Sequence, residues 1–241
     1  MFETTALIGV SVFAGALASI TGFGVGSLLT PVFLWWLAPH EAVAAVGIPH
    51  VVATGARCMN LRREVDFKLL YNFGLASAIG GLAGAVVQGR FGSRILTAVL
   101  GVLLILSGFS ELRRRAFPIP DATSWRMVGG LLSGFFGGLV GNQGGIRSAA
   151  LLGFRLDPKK FVATATAVAL IVDSVRLPFY LMNYHHALRG VALQVALSTV
   201  GVFIGTFWGV KILKQIPEQS FRQIVGVLLI VLGISLAMGV M

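Results

Sequence analysis

Apolar residues in this chain fall in long runs, not in alternation with polar ones. Short connectors of charged and turn-forming residues divide them at 4–37, 41–60, 67–88, 94–111, 126–153, 160–182, 190–212 and 220–240. Runs near 20 residues predict helices that cross the roughly 30 Å hydrocarbon core of a bilayer. Two runs do not fit that length. As one helix, 4–37 would extend about 50 Å at about 1.5 Å per residue. The break is expected at Thr21-Gly22-Phe23-Gly24-Val25-Gly26, where glycines at alternate positions release the helix, with Pro31 in the returning arm. Run 126–153 has the same form, interrupted at Gly141-Asn142-Gln143-Gly144-Gly145. Each arm is expected to be too short for a full crossing, so each broken run reads as a re-entrant hairpin.

Positive charge tests this reading, because loop Lys and Arg mark the cytoplasmic side. If each broken run crosses once, the two sides carry eight basic residues each and no orientation is favoured. If each returns to its starting side, one side carries thirteen: Arg62, Arg63, Lys68, Arg113, Arg114, Arg115, Arg126, Arg155, Lys159, Lys160, Lys211, Lys214 and Arg222. The other keeps Arg90, Arg94 and Arg189. The asymmetry predicts two hairpins plus six crossings, with both termini outside the cytoplasm, in a cell (inner) membrane. Each half then crosses an odd number of times, which implies an inverted repeat. An offset of 119 aligns Gly15 with Gly134, Gly22 with Gly141, Gly26 with Gly145, Pro39 with Pro158 and Arg57 with Arg176. Gly80 and Gly84 match Gly201 and Gly205 at an offset of 121, and the run 101–105 matches 226–230 at 125. The expected fold is an all-α polytopic membrane protein of two inverted-topology repeats, each a broken helical hairpin plus three transmembrane helices. The N-terminal repeat spans 1–112, a basic, proline-containing cytoplasmic linker 113–125, and the C-terminal repeat 126–241.

Composition agrees. Of 241 residues, 56% are hydrophobic and 12% charged, with a mean hydropathy of +0.88; soluble chains carry about 25% charged residues. Eight membrane segments leave no room for a soluble catalytic or DNA-binding module. The net charge of +10 sits in connectors, which argues for a membrane-surface signal and against a nucleic-acid face. Cys58 is the single cysteine, so no intramolecular disulfide or cysteine metal site is expected. Met1 to Thr5 lack the basic start of a cleavable signal. The chain has no Gly-x-Ser-x-Gly elbow, no His-Glu-x-x-His motif and no phosphate-binding Gly-Lys-Ser/Thr loop. An enzyme, a cofactor and direct ATP drive are therefore not expected.

Matched interruptions in two inverted halves point to a transport site. Half-helix N-termini present free N–H groups and a positive dipole end, which suit an anion. The site is expected between Gly22, Phe23, Gly24 and Gly26 on one side and Asn142, Gln143, Gly144 and Gly145 on the other. Tight helix packing is the other use of such glycines, and it is the preferred reading for Gly80, Gly84, Gly201 and Gly205. Arg57, Arg147 and Arg176 lie within or at the end of apolar runs, where an ionised side chain faces a cavity or a partner. Guanidinium groups bind oxyanions through paired hydrogen bonds, so the three suggest a small oxyanion. Their alternatives are snorkelling for Arg57, an ion pair with Asp173 for Arg176 and helix packing for Arg147. His50 and Asp173 are the proton-coupling candidates. His185 and His186 read as part of an outer loop and have no acid beside them to complete a metal site; no metal is expected. Trp35, Trp36 and Tyr184 read as interfacial belt residues. The glycine faces permit a homo-oligomer without requiring one.

The motif Gly22-Phe23-Gly24-Val25-Gly26 with Pro31, then Pro39, the alanine-rich stretch 42–56 and Arg62-Arg63, with a second copy from Gly141 through Pro158 and Thr164, resembles the TauE/SafE sulfite exporter family over essentially the whole chain. The resemblance implies two repeats and export of sulfite, sulfoacetate or a related sulfur-containing anion. The sequence departs from the family's glycine-rich pattern in Asn142, Gln143 and Arg147 at the second break. Together these readings predict a secondary transporter working by alternating access on a small anion. A passive anion channel, or an importer of thiosulfate or another small organic anion, are the alternatives.

Overall fold

The computed structural model describes residues 2–113, 122–154, 156–209 and 218–239. The connector 114–121, Arg155, Lys211 and Lys214, and the ends of the runs 190–212 and 220–240, lie outside the described residues. What is described is helical throughout. The first half holds α1 (Phe2–Thr21), α2 (Val25–Phe33), α3 (Pro39–Leu61), α4 (Phe67–Gln88, with a π turn at Leu70–Gly74) and α5 (Ser93–Arg113). The second holds α6 (Thr123–Val140), α7 (Gly144–Gly153), α8 (Pro158–Gly190), α9 (Ala192–Ile204, followed by a π turn at Gly205–Gly209) and α10 (Glu218–Ala237).

Local chemistry sets the boundaries. Pro39 and Pro158 each open a helix at its first position, where the missing N–H costs nothing and the fixed φ suits the helix. Gly22, Gly24 and Gly141 adopt φ of 82°, 128° and 75°, the left-handed region that glycine enters without a Cβ penalty. Both breaks fall where the sequence places them. After the second, the chain turns back along α6: Ser133 Oγ donates to Gln143 O at 3.2 Å, although ten residues of continuous helix would separate them by about 15 Å.

Three expectations change. The hairpin arms are unequal: the breaks lie near the midpoints of their runs, but α1 and α6 start before those runs, at Phe2 and Thr123, and α2 ends early, at Phe33. α1 has 20 residues and is long enough to cross a bilayer, at about 30 Å; α2 has 9, or about 14 Å. In the second half, 18 residues in α6 are followed by 10 in α7. Among the described residues, five helices are long and apolar enough to cross: Glu3–Thr21, Pro39–Glu64, Phe67–Gln88, Ser93–Arg113 and Pro158–Gly190. The stretches Ala192–Trp208 and Arg222–Ala237 are apolar but shorter. Second, α8 continues past 182 to Gly190 with a kink at Tyr184, so His185 and His186 are helical, not in a loop. Third, Arg222 lies within α10 and pairs with Glu111 of α5 at 3.1 Å.

Packing is reciprocal between the halves. α1 lies on α9 as α6 lies on α4, α3 packs on α8, α5 on α10, and α2 and α7 contact α10 and α5 respectively. Glycines make the close seams. A Cβ on Gly101 would meet Gly233 O and one on Gly108 would meet Gly226 O, so α5 and α10 run antiparallel. Gly15 faces Val202 as Gly134 faces Ser77, and Gly205 faces Val12 as Gly80 faces Leu131. These pairs equate Ser77 with Val202 and Gly80 with Gly205. The offset there is 125, one helical turn from the 121 expected from glycine identities. The ends of the bundle are also defined. At one end Asp66 N donates to Thr164 Oγ1 at 3.0 Å. At the other, the His40 and Tyr184 rings lie 5.2 Å apart, and the Gln88 amide donates to Gly138 O and Leu139 O at 3.2 Å while its oxygen faces the Tyr184 hydroxyl at 3.3 Å.

Candidate functional site

The two breaks meet. Gly26, in the first turn of α2, is pressed against Gly141 O, and Phe23 covers Gly144. Ser27 Oγ donates to Asn142 Oδ1 at 3.1 Å. Arg147, in the first turn of α7, reaches across to donate from Nη2 to Gly22 O at 2.8 Å. Gly145 is closed against Ser107 of α5, and Gly24 against Leu17 of α1. These glycines therefore let protein approach protein in this conformation. Each half-helix starts from its break, which directs two sets of free N–H groups into the same region.

Beside the breaks, α3 and α8 cross and bury a charged cluster. Asp173 is fully buried, His50 is 6% exposed, Arg57 4%, Arg147 1% and Arg176 2%. The Asp173 carboxylate is saturated: Oδ2 lies 2.5 Å from His50 Nδ1 and 3.5 Å from Thr54 Oγ1, and Oδ1 accepts from Arg176 Nε at 3.0 Å and Nη2 at 2.8 Å. Arg176 also donates from Nη1 to Gly137 O. Tyr180, one turn further along α8, donates to Gly138 O at 2.5 Å and packs its ring 5.9 Å from the Arg176 guanidinium.

Arg57 and Arg147 are different. Nε and Nη1 of both are buried without a hydrogen-bond partner, as are Asn142 Nδ2 and Gln143 Nε2. With His50 neutral, three guanidinium groups and one carboxylate leave two positive charges in excess in a buried site. Removing an ion from water costs several kcal/mol even after relaxation. Among the described residues, neither Arg57 nor Arg147 has a carboxylate in ion-pair contact, whereas Arg176 is paired with Asp173.

The residues named in the sequence as substrate-binding or proton-coupling candidates thus lie at the two breaks or on the α3–α8 crossing beside them. Thr54, Ser27 and Tyr180 were not identified there. Tyr180 had a signal, since Asp173, Arg176 and Tyr180 share one face at spacings of three and four. Among the described residues no group of three His, Cys, Asp or Glu side chains could hold a metal. A separate cavity of about 560 Å³, lined by Leu34, Pro39, Ser93, Arg94 and Met238 among others, lies at the bundle end where α5 begins.

In comparison with known proteins, the family Sulfite exporter TauE/SafE matches residues 7–236. The chain is 24% identical over 248 aligned residues to a Methanocaldococcus jannaschii protein described as "Probable membrane transporter protein MJ0441", covering 95% of this chain and 93% of that one. No solved structure matches.

Proposed function

The chain belongs to the TauE/SafE sulfite exporter family, and from that premise we propose that this multi-pass membrane transporter exports a small sulfur-containing anion, sulfite or an organosulfonate such as sulfoacetate, by alternating access. The observation that carries the substrate class is the buried excess of positive charge at the meeting of two broken helices. Desolvated arginines with open N–H groups recognise an oxyanion by direct hydrogen bonding, and the N-termini of α2 and α7 add dipole and backbone donors. The burial of every one of these groups suits a carrier that occludes its substrate; a channel needs a continuous pore.

The same reading treats the halves as inverted repeats that rock against each other along the α3–α8 and α5–α10 contacts. Antiparallel packing of the corresponding helices α5 and α10 supports it. So does the placement of Arg62, Arg63, Lys159 and Lys160 near the end marked by Asp66 and Thr164, opposite Arg90, Arg94 and Arg189. By the positive-inside rule the first end is cytoplasmic, which leaves both termini outside. The His50–Asp173 contact is the place where a proton would couple to transport.

Proteoliposome flux tests this function. Sulfite, sulfoacetate, thiosulfate and sulfate are loaded in turn, with and without an imposed pH gradient. Saturable, counter-flow-competent movement of a sulfur anion is expected, and flux rising linearly with concentration would mark a channel instead.

A further inference from the structure

The three membrane arginines look alike in sequence, yet the structure divides them. At the offset that pairs Arg57 with Arg176, Thr54 is the counterpart of Asp173. The two counterparts face each other where α3 crosses α8, with Thr54 Oγ1 3.5 Å from Asp173 Oδ2. Arg176 has a carboxylate three residues before it on the same helix face and is held by Asp173 and Gly137 O. Arg57 has a threonine in that position. Its hydroxyl is oriented to the carbonyl of His50 at 2.8 Å, and the Arg57 Nε and Nη1 are left open. One repeat therefore carries a built-in counter-ion and the other does not.

We propose that Arg57 and Arg147, assisted by Asn142, bind the charge of the transported anion, and that Arg176 is a fixed structural partner of Asp173 which positions the crossing without touching substrate. This rests on the reading of the chain as an anion transporter and assigns roles within its site. The missing carboxylate at Thr54 is what keeps Arg57 available: an aspartate there would take the place of the anion, as Asp173 does for Arg176. Arg147 serves the same anion from the opposite side, because one of its nitrogens is anchored on Gly22 O and two are free.

Thr54→Asp tests the assignment, with the near-isosteric neutral Thr54→Asn as its control. Purified variants are compared by thermal unfolding in detergent, with and without sulfite, sulfoacetate or thiosulfate, and by flux of the same anions after reconstitution. Thr54→Asp is expected to lose anion-dependent stabilisation and flux by more than tenfold; its stability without ligand is not the readout, because the new carboxylate also faces Asp173, 3.5 Å from the present Thr54 hydroxyl. Thr54→Asn should stay within about threefold of the unmodified protein. Anion binding by Thr54→Asp within threefold of the unmodified protein, or equal losses in both variants, overturns the proposal. Arg57→Gln and Arg176→Gln give an independent arm. The first should raise the apparent Kd more than tenfold with little loss of thermal stability, the second should mainly lower stability, and the reverse order overturns the assignment. If the unmodified protein moves none of the three anions, the substrate reading fails. Ligand-free thermal unfolding of Arg57→Gln and Arg176→Gln still decides the charge arrangement, since a loss for Arg57→Gln as large as that for Arg176→Gln shows that Arg57 is held by a structural partner.

Discussion

Asp173 accepts from Arg176 at 3.0 and 2.8 Å and lies 2.5 Å from His50, and with all of its surroundings buried it has no water to fall back on. Breaking a buried ion pair by removing one partner costs about 3–5 kcal/mol, because the other charge is stranded. Arg176→Ala should therefore destabilise the protein by that amount in detergent unfolding. Combined with Asp173→Asn, the loss should be much smaller than the sum of the two single losses, the mark of directly coupled sites. At this scale the sequence was informative about which ionisable residues are buried together. Arg57, Arg147, Arg176, Asp173 and His50 stand out because ionisable groups are rare in apolar runs. The division of labour proposed for them was not legible, since the argument for it depends on Thr54, a residue of no distinctive chemistry that acquires meaning only from facing Asp173.

Glycine determines how closely the helices approach. A Cβ on Gly138 would collide with Gly81 O and come within 2.7 Å of Ala85 N, whereas one on Gly9 would meet nothing within 4 Å. Backbone atoms on a packed helix cannot yield locally, so Gly138→Ala must push α4 and α6 apart. Overpacking of this kind costs about 1–3 kcal/mol, and a substitution that touches nothing stays within about 0.5 kcal/mol. Thermal unfolding should therefore fall clearly for Gly138→Ala and hardly move for Gly9→Ala. The breaks at Gly22 and Gly141 were readable because two overlong runs coincide with clustered glycines; length alone does not force a break, since α8 continues for 33 residues with a kink at Tyr184. The register of Gly80 was not, because glycines four apart give equally good matches one turn away and only the facing carbonyls of Leu131 and Val12 settle it. Asn183, Tyr184, His185 and His186 resemble a loop by polarity; they form a kinked helix end instead, with Tyr184 facing His40 and Gln88 across the bundle.

For the molecule as a whole, the number of crossings decides which connectors share a side. If each broken run crosses once, the connector after α3 and the one before α8 lie on opposite faces of the membrane. If each returns, they lie together. The hydrogen bond from Asp66 N to Thr164 Oγ1 at 3.0 Å joins residues that a single crossing would hold about 20 Å apart, since Thr164 lies six residues into α8. Arg63, Arg90 and Lys159 are exposed, and each can carry a single reporter cysteine once Cys58, the one native cysteine, is replaced by alanine. With a membrane-impermeant maleimide applied to intact cells, Arg90→Cys should react, while Arg63→Cys and Lys159→Cys should stay protected until the membrane is permeabilised. Labelling of Lys159→Cys together with Arg90→Cys would mean that the broken runs cross. The inverted arrangement of the halves would then be lost, and with it the geometric basis for rocking one half against the other around the arginines.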